Sequence, residues 1–203
     1  MHHVMIDLET MSTRGDAAIV SIGAIFFDPR RAELGPGLHL AVDLRSAQAM
    51  GGHVDADTVL WWLRQSDAAR AAITSREALP IDVALDELTG WLRTHSDDGL
   101  DVLQPWGNGA DFDLGILSAA YRKVVGGRSP TPWRYYNQRC FRTLRGLRTD
   151  LPMVREGVHH NALSDATTQA RHACRILQAM DAGRLAADMM ALTPAQGAAC
   201  ATA

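Results

Sequence analysis

The stretch His3-Val4-Met5-Ile6-Asp7-Leu8-Glu9 decides how the chain is read. Its apolar residues, Val4, Met5, Ile6 and Leu8, describe a buried strand that runs into two carboxylates. Side chains alternate along a strand, so Asp7 and Glu9 share one face while Leu8 takes the other. Two carboxylates side by side at the end of an apolar strand repel each other and lose hydration. A divalent cation between them offsets both penalties. The bland alternative is a hydrated strand end.

Working outward, Ala17–Phe27 is rich in β-branched and aromatic residues and is stopped by Asp28-Pro29. A third strand is predicted over Leu38–Leu44, after a turn at Gly35-Pro36-Gly37, which gives an antiparallel meander. Helical patterning follows at Asp57–Gln65, with Asp55 or Asp57 as N-cap, and at Pro80–Thr94 with Pro80 in the first turn. A fourth strand is expected over Asp101–Trp106, then a helix over Asp111–Val125 closed by Gly126-Gly127. Pro130–Gln138 is expected to hold a short strand around Trp133–Tyr136, followed by a basic helix near Cys140–Leu147. The last long helix spans Leu163–Met180, with Ala166, Ala170, Ala173, Ile176 and Leu177 on its apolar stripe. This order predicts an α/β fold, a mixed five-stranded sheet flanked by helices. One domain over 1–193 is expected, with a disordered Ala-rich tail at 194–203.

Bulk composition narrows the classes. The 203 residues are 47% hydrophobic and 21% charged, enough for one sizeable core. Cys140, Cys174 and Cys200 are scattered and odd in number, so neither a disulfide framework nor a zinc spacing is present, and a cytoplasmic setting is expected. No run of about 18 apolar residues occurs, so no membrane span is expected. Net charge is −3, yet Arg122–Arg155 holds nine basic residues and one acid, Asp150. That asymmetry fits a face that tolerates phosphates, or simply a solvated basic helix.

Two further signals carry chemistry. Trp106-Gly107-Asn108-Gly109-Ala110-Asp111-Phe112-Asp113 joins a strand to a helix, its glycines letting backbone approach a ligand closely. Asp111 reads as a helix-start acid and Asp113 as the inward one. His159-His160-Asn161-Ala162-Leu163-Ser164-Asp165 opens the final helix. From there a carboxylate can ligate metal while a nearby imidazole takes a proton from an attacking water. His159 and His172 read as structural.

Asp7-x-Glu9-Thr10, Ala110-x-Phe112-Asp113 and His160-x-Ala162-x-x-Asp165 resemble, in order and spacing, the three motifs of the DEDDh 3′→5′ exonuclease superfamily. That superfamily includes RNase T, oligoribonuclease and the proofreading subunits of DNA polymerases. Longer stretches are similar to the exonuclease VIII-like 3′→5′ exonucleases of phages and prophages: Ile6–Met11, Val20–Pro29, Trp61–Ser66, Trp106–Leu117 and His160–Ala166. The similarity runs from about residue 3 to 180.

The resemblance implies an RNase H-like fold, with Asp7, Glu9, Asp113 and Asp165 as metal ligands and His160 as general base. A tyrosine four residues before the last Asp would mark the other branch; that position is Asn161. Asp111 departs from the small or hydroxyl residue expected after Ala110. Four hard oxygen donors point to two Mg²⁺ or Mn²⁺ ions. Nucleoside 5′-monophosphates would leave the 3′ terminus of DNA or RNA; the alternatives are a nucleic-acid-binding module or an RNase H-fold endonuclease. Thr10 and Met11 would line the terminal nucleotide site, with Asn108 contacting substrate. Of the adjacent Trp61 and Trp62, about 100° apart on a helix, either one packs and the other is free for a base, or both are partly buried packing residues. Arg139, Arg142, Arg145 and Arg148 are candidates for phosphate contact or for a homodimer surface. Because metal ligands repel one another without metal, loss of Asp7 or Asp113 is expected to leave stability unchanged or improved.

Overall fold

The computed structural model describes residues 1–124, 131–157 and 159–192. Its strands are β1 (His3–Thr10), β2 (Ile19–Asp28), β3 (Glu33–Ala41), β4 (Gln104–Gly107) and β5 (Arg139–Cys140). They form a five-stranded sheet in the order β3-β2-β1-β4-β5. The β1–β2 and β2–β3 pairs are antiparallel, and the β1–β4 and β4–β5 pairs are parallel. The helices are α1 (Leu44–Ala49), α2 (Ala56–Leu63), α3 (Asp67–Ile73), α4 (Ile81–His95), α5 (Asp113–Val124), α6 (Phe141–Gly146) and α7 (Ala162–Leu192). The mixed sheet with flanking helices is the architecture the sequence predicts.

Alternation along β1 sorts the core into two layers. Val4, Ile6 and Leu8 join a cluster with Leu85, Leu88 and Leu92 of α4 and Leu114 and Leu117 of α5. Met5 joins the opposite cluster, with Phe27, Trp106, Phe141 and the α7 residues Ala166, Ala170, Ala173 and Ile176. Asp7 and Glu9 follow Met5 in this alternation, so they leave the core on the α7 side.

Several expected boundaries move, each for a physical reason. Gly35-Pro36-Gly37 is not a turn before β3 but part of it. β3 is an edge strand, where a residue without an N–H is tolerated, and Gly35 and Pro36 together face Phe26 where the register slips. The strand therefore ends at Ala41, and Leu44 begins α1 under an Asp43 cap. Pro80 stands at the N-cap of α4, one place before its first turn. β4 begins at Gln104 and not at Asp101. The strand expected around Trp133–Tyr136 is absent: Trp133 is buried edge-on against Tyr121 of α5, and Tyr135–Asn137 make a 3₁₀ turn ahead of β5. The short helices α1 and α3 carry no period long enough to read. α7 extends beyond Met180 to Leu192. The expected closure at Gly126-Gly127 and the tail at 194–203 lie outside the described residues.

Candidate active site

Three segments bring the predicted acids together at the carboxyl end of β1. β1 and β4 pair only as far as Met5 and Trp106. Past that point Asp113, in the first turn of α5, fills the opening. Its Oδ1 accepts from the Leu8 N–H at 3.2 Å and its Oδ2 from the Asn108 N–H at 2.7 Å. Gly107 leaves room for this, since a Cβ there would sit 3.0 Å from the Asp113 side chain. Asp111 is exposed, whereas Asp113 is 2% exposed.

α7 reaches the same place because β2 carries Gly23 opposite Asp7. A Cβ on Gly23 would lie 2.1 Å from the Ala162 carbonyl carbon, so the amino end of α7 rests directly on the strand. Asn161 caps the helix, its Oδ1 accepting the Ser164 N–H at 3.0 Å. One residue earlier, His160 has φ +60°, a left-handed backbone uncommon outside glycine. That conformation points its N–H at Asp165 Oδ2, at 3.1 Å. Arg155 reaches the other oxygen of Asp165 at 3.2 Å.

Ligand atoms of Glu9, His160 and Asp165 all lie within 4.8 Å of one another. Asp7 is held separately by Gln169, whose Nε2 donates to its Oδ1 at 2.7 Å. Burial raises the carboxyl of Asp7 well above the usual range, reinforced by the charges of Asp113, Glu9 and Asp165. Burial, then Asp165 and Asp113, pushes Glu9 up to about 8. Burial also raises Asp113, against the pull of its two backbone donors. Burial lowers His160, as does His159 beside it, while Asp165 pulls the other way. Such crowded acids gain from a divalent cation, and their oxygens are the hard donors that Mg²⁺ or Mn²⁺ takes.

Two clefts meet at Leu8 and Glu9. The larger, about 480 Å³, is lined by Thr10, Ser12, Thr58, Trp61, Trp62 and Phe112 among others. The smaller, about 230 Å³, is lined by Asp7, Glu9 and Asp165 together with Asn108, Arg145, Arg155, both histidines and Gln169. Trp62 is 4% exposed and donates from Nε1 to the Thr10 carbonyl at 3.0 Å, while Trp61 is 40% exposed. The Trp61 ring stands nearly perpendicular to His160, 4.8 Å between centroids. Met11 is packed into the core and lines neither cleft.

The four arginines at three-residue spacing do not act as one row. Arg142 donates to the Asn108 carbonyl at 2.7 Å and Arg145 borders the smaller cleft. Arg148 pairs with Asp150, and Arg139 donates to the carbonyls of Tyr136 and Gln138. Sequence reasoning passed over Gln169 and Arg155. The signal for Gln169 was its position four residues after Asp165, on the same helical face.

The family model described as a 3′-5′ exoribonuclease Rv2179c-like domain matches residues 2–177 of this chain. An exodeoxyribonuclease of Enterobacteria phage T4 is 28% identical over 163 residues, 70% of each chain. Among solved structures, the fold is similar to the nuclease domain of 3′hExo, a DEDDh family member bound to rAMP. That similarity has a TM-score of 0.58 at 12% identity, over 87% of this chain and 91% of that one. Exonuclease I of E. coli, in complex with a dT13 oligonucleotide, aligns with a TM-score of 0.56 at 14% identity, over 86% of this chain and 40% of that one. The matched residues run from the start of β1 well into α7 and include all four acids and His160. The chain belongs to the Rv2179c-like 3′-5′ exoribonuclease domain family and is a 3′→5′ exonuclease.

Proposed function

We propose that Asp7, Glu9, Asp113 and Asp165 hold two divalent cations, Mg²⁺ or Mn²⁺, and that His160 is the general base of terminal phosphodiester hydrolysis. The observation that carries this reading is the convergence of four carboxylates on one strand end beside an imidazole, with Arg155 on Asp165 their one ion pair among the described residues. Ions bound there supply an activated water and neutralise charge on the leaving 3′ oxygen. His160 is poised for its part because its N–H is fixed to Asp165 and its ring edge is braced by Trp61. Its lowered pKa keeps the imidazole neutral, and so able to take a proton, at neutral pH. The product of such attack is a nucleoside 5′-monophosphate.

Thr10 and the open face of Trp61 offer the larger cleft to the terminal nucleotide, with stacking on an indole supplying sequence-tolerant affinity. Met11 supports this wall from beneath, and Asn108 meets the substrate from the β4–α5 turn. The domain spans 1–193 in this reading and works in the cytoplasm, where the free thiols of Cys140 and Cys174 stay reduced. DNA and RNA are both candidate substrates, since the family description names ribonucleic acid and the phage relative deoxyribonucleic acid.

Matched DNA and RNA oligonucleotides, labelled at either end, test the reading directly. Stepwise mononucleotides from the 3′ end, abolished by EDTA and restored by Mg²⁺ or Mn²⁺, are expected. Internal cuts would make the protein an endonuclease, and binding without cleavage a recognition module. His160→Ala should reduce kcat by about 10²-fold or more with little change in oligonucleotide affinity. His159→Ala should be mild; equal losses would remove His160 from the role of base.

A further inference from the structure

Gln169 lies one helical turn beyond Asp165, so both side chains project into the smaller cleft. It is 5% exposed. Its Nε2 donates to Asp7 Oδ1 at 2.7 Å, but its Oε1 is fully buried and has no hydrogen-bond partner among the described residues. Buried polar atoms without partners are uncommon, and leucine or methionine would fill the same volume without leaving one. Asp7, Glu9 and Asp165 border the same cleft and as carboxylates only accept, while the side chains there that can donate, those of Asn108, Arg145, Arg155, Thr168 and the two histidines, make no hydrogen bond to this oxygen. A donor that arrives with a ligand would satisfy it.

We infer that Gln169 is a positioning residue of the cation site: its amide N–H fixes the orientation of Asp7, and its amide oxygen accepts from a water carried by a hydrated divalent cation. The inference rests on the four-carboxylate reading above. Mg²⁺ and its close analogues keep several waters when protein-bound, and each such water offers a donor of the kind the Gln169 oxygen lacks. A carboxylate held in one rotamer also loses less freedom on ligation than one that swings. Groups that orient a ligating side chain in this way commonly control metal affinity by about 10- to 100-fold.

The test uses the full chain without oligonucleotide. The parent, Gln169→Leu and Gln169→Met are titrated with Mn²⁺ by calorimetry and melted in EDTA. Both variants should bind Mn²⁺ about tenfold more weakly or worse. Their melting temperatures in EDTA should stay near that of the parent, since loss of the hydrogen bond to Asp7 and removal of the unpartnered buried oxygen act in opposite directions. In turnover assays the Mn²⁺ concentration for half-maximal rate should rise by a similar factor, excess Mn²⁺ should restore kcat, and KM for the oligonucleotide should stay within about twofold. Unchanged Mn²⁺ affinity in both variants overturns the inference, and with a lowered melting temperature it assigns Gln169 to packing alone. A parent that binds Mn²⁺ while the variants bind it equally well sinks this inference only. A parent that binds none removes the carboxylate reading, and this inference with it.

Discussion

Removing Asp113 takes an acceptor from two backbone N–H groups, those of Leu8 and Asn108, whereas removing the charge of Glu9 strips no such partner among the described residues. The expectation that either Asp7 or Asp113 can be lost without penalty therefore changes for Asp113. Asp113→Ala should lower stability in EDTA by on the order of 1–3 kcal/mol, the price of a buried donor left unmade. Glu9→Gln should raise it, and both should lose hydrolysis; thermal melts of the two variants check this directly. The same acids set a pH dependence. Glu9 is pushed from its ordinary 4.5 up to about 8, so between those values the folded state keeps a proton the unfolded chain gives up. Stability carried by that proton is lost as pH rises. His3, lowered to about 4, and the lowered His160 and His172 act oppositely, but their contribution is complete above their ordinary 6.5. From pH 6.5 to 8 the melting temperature in EDTA should fall. Glu9→Gln or added Mg²⁺ should make that fall shallower, because a bound cation replaces protons; a flat parent profile would contradict the assignment.

At the scale of elements, the junction of β2 and α7 is the tightest contact that shapes the site. A methyl group at Gly23 would overlap the Ala162 backbone, and no side-chain rotation relieves a backbone clash. Gly23→Ala should destabilise the chain by about 3 kcal/mol or more and displace Asp165 and His160 together. The checks are a lower melting temperature in EDTA and a weakened Mn²⁺ response. A stable variant with full activity would show that α7 can lift off the sheet freely. How far these elements were legible depends on what fixed them. β1, β2 and the body of α7 were readable because continuous apolar runs and a 3.6-residue stripe report burial directly. Gly35-Pro36-Gly37 was misread because the same residues that make a turn also make a bulge, and only the neighbouring strand decides which. The four acids and His160 stood out by spacing. Gln169 and Gly23 did not, because their roles depend on partners 162 and 139 residues away.

Over the whole molecule, net charge of −3 conceals an uneven distribution, and the structure divides the basic stretch by function. Arg142 and Arg145 stand over the site, while Arg139 and Arg148 are occupied by neighbouring carbonyls and by Asp150. Arg145 is the cleaner probe, since Arg142 also supports the Asn108 turn. If Arg145 meets a phosphate of the incoming strand, Arg145→Ala should reduce the slope of log affinity against log salt by about 1. Hydrolysis of a dinucleotide should change little. Were this surface instead a contact between two copies, the variant would elute as a smaller species in sizing experiments, with the salt slope intact.

The hydrogen bond from Gln169 to Asp7 joins the first strand of the sheet to its last helix. A chain made from its amino end exposes the acids of β1 early, hydrated and without their partner on α7 until that helix emerges. Contacts of such long sequence separation slow folding, because the loop between them has to close before they contribute. The meander of β1, β2 and β3 can form during synthesis, but the proposed cation site cannot, because Asp165 and Gln169 arrive only with α7.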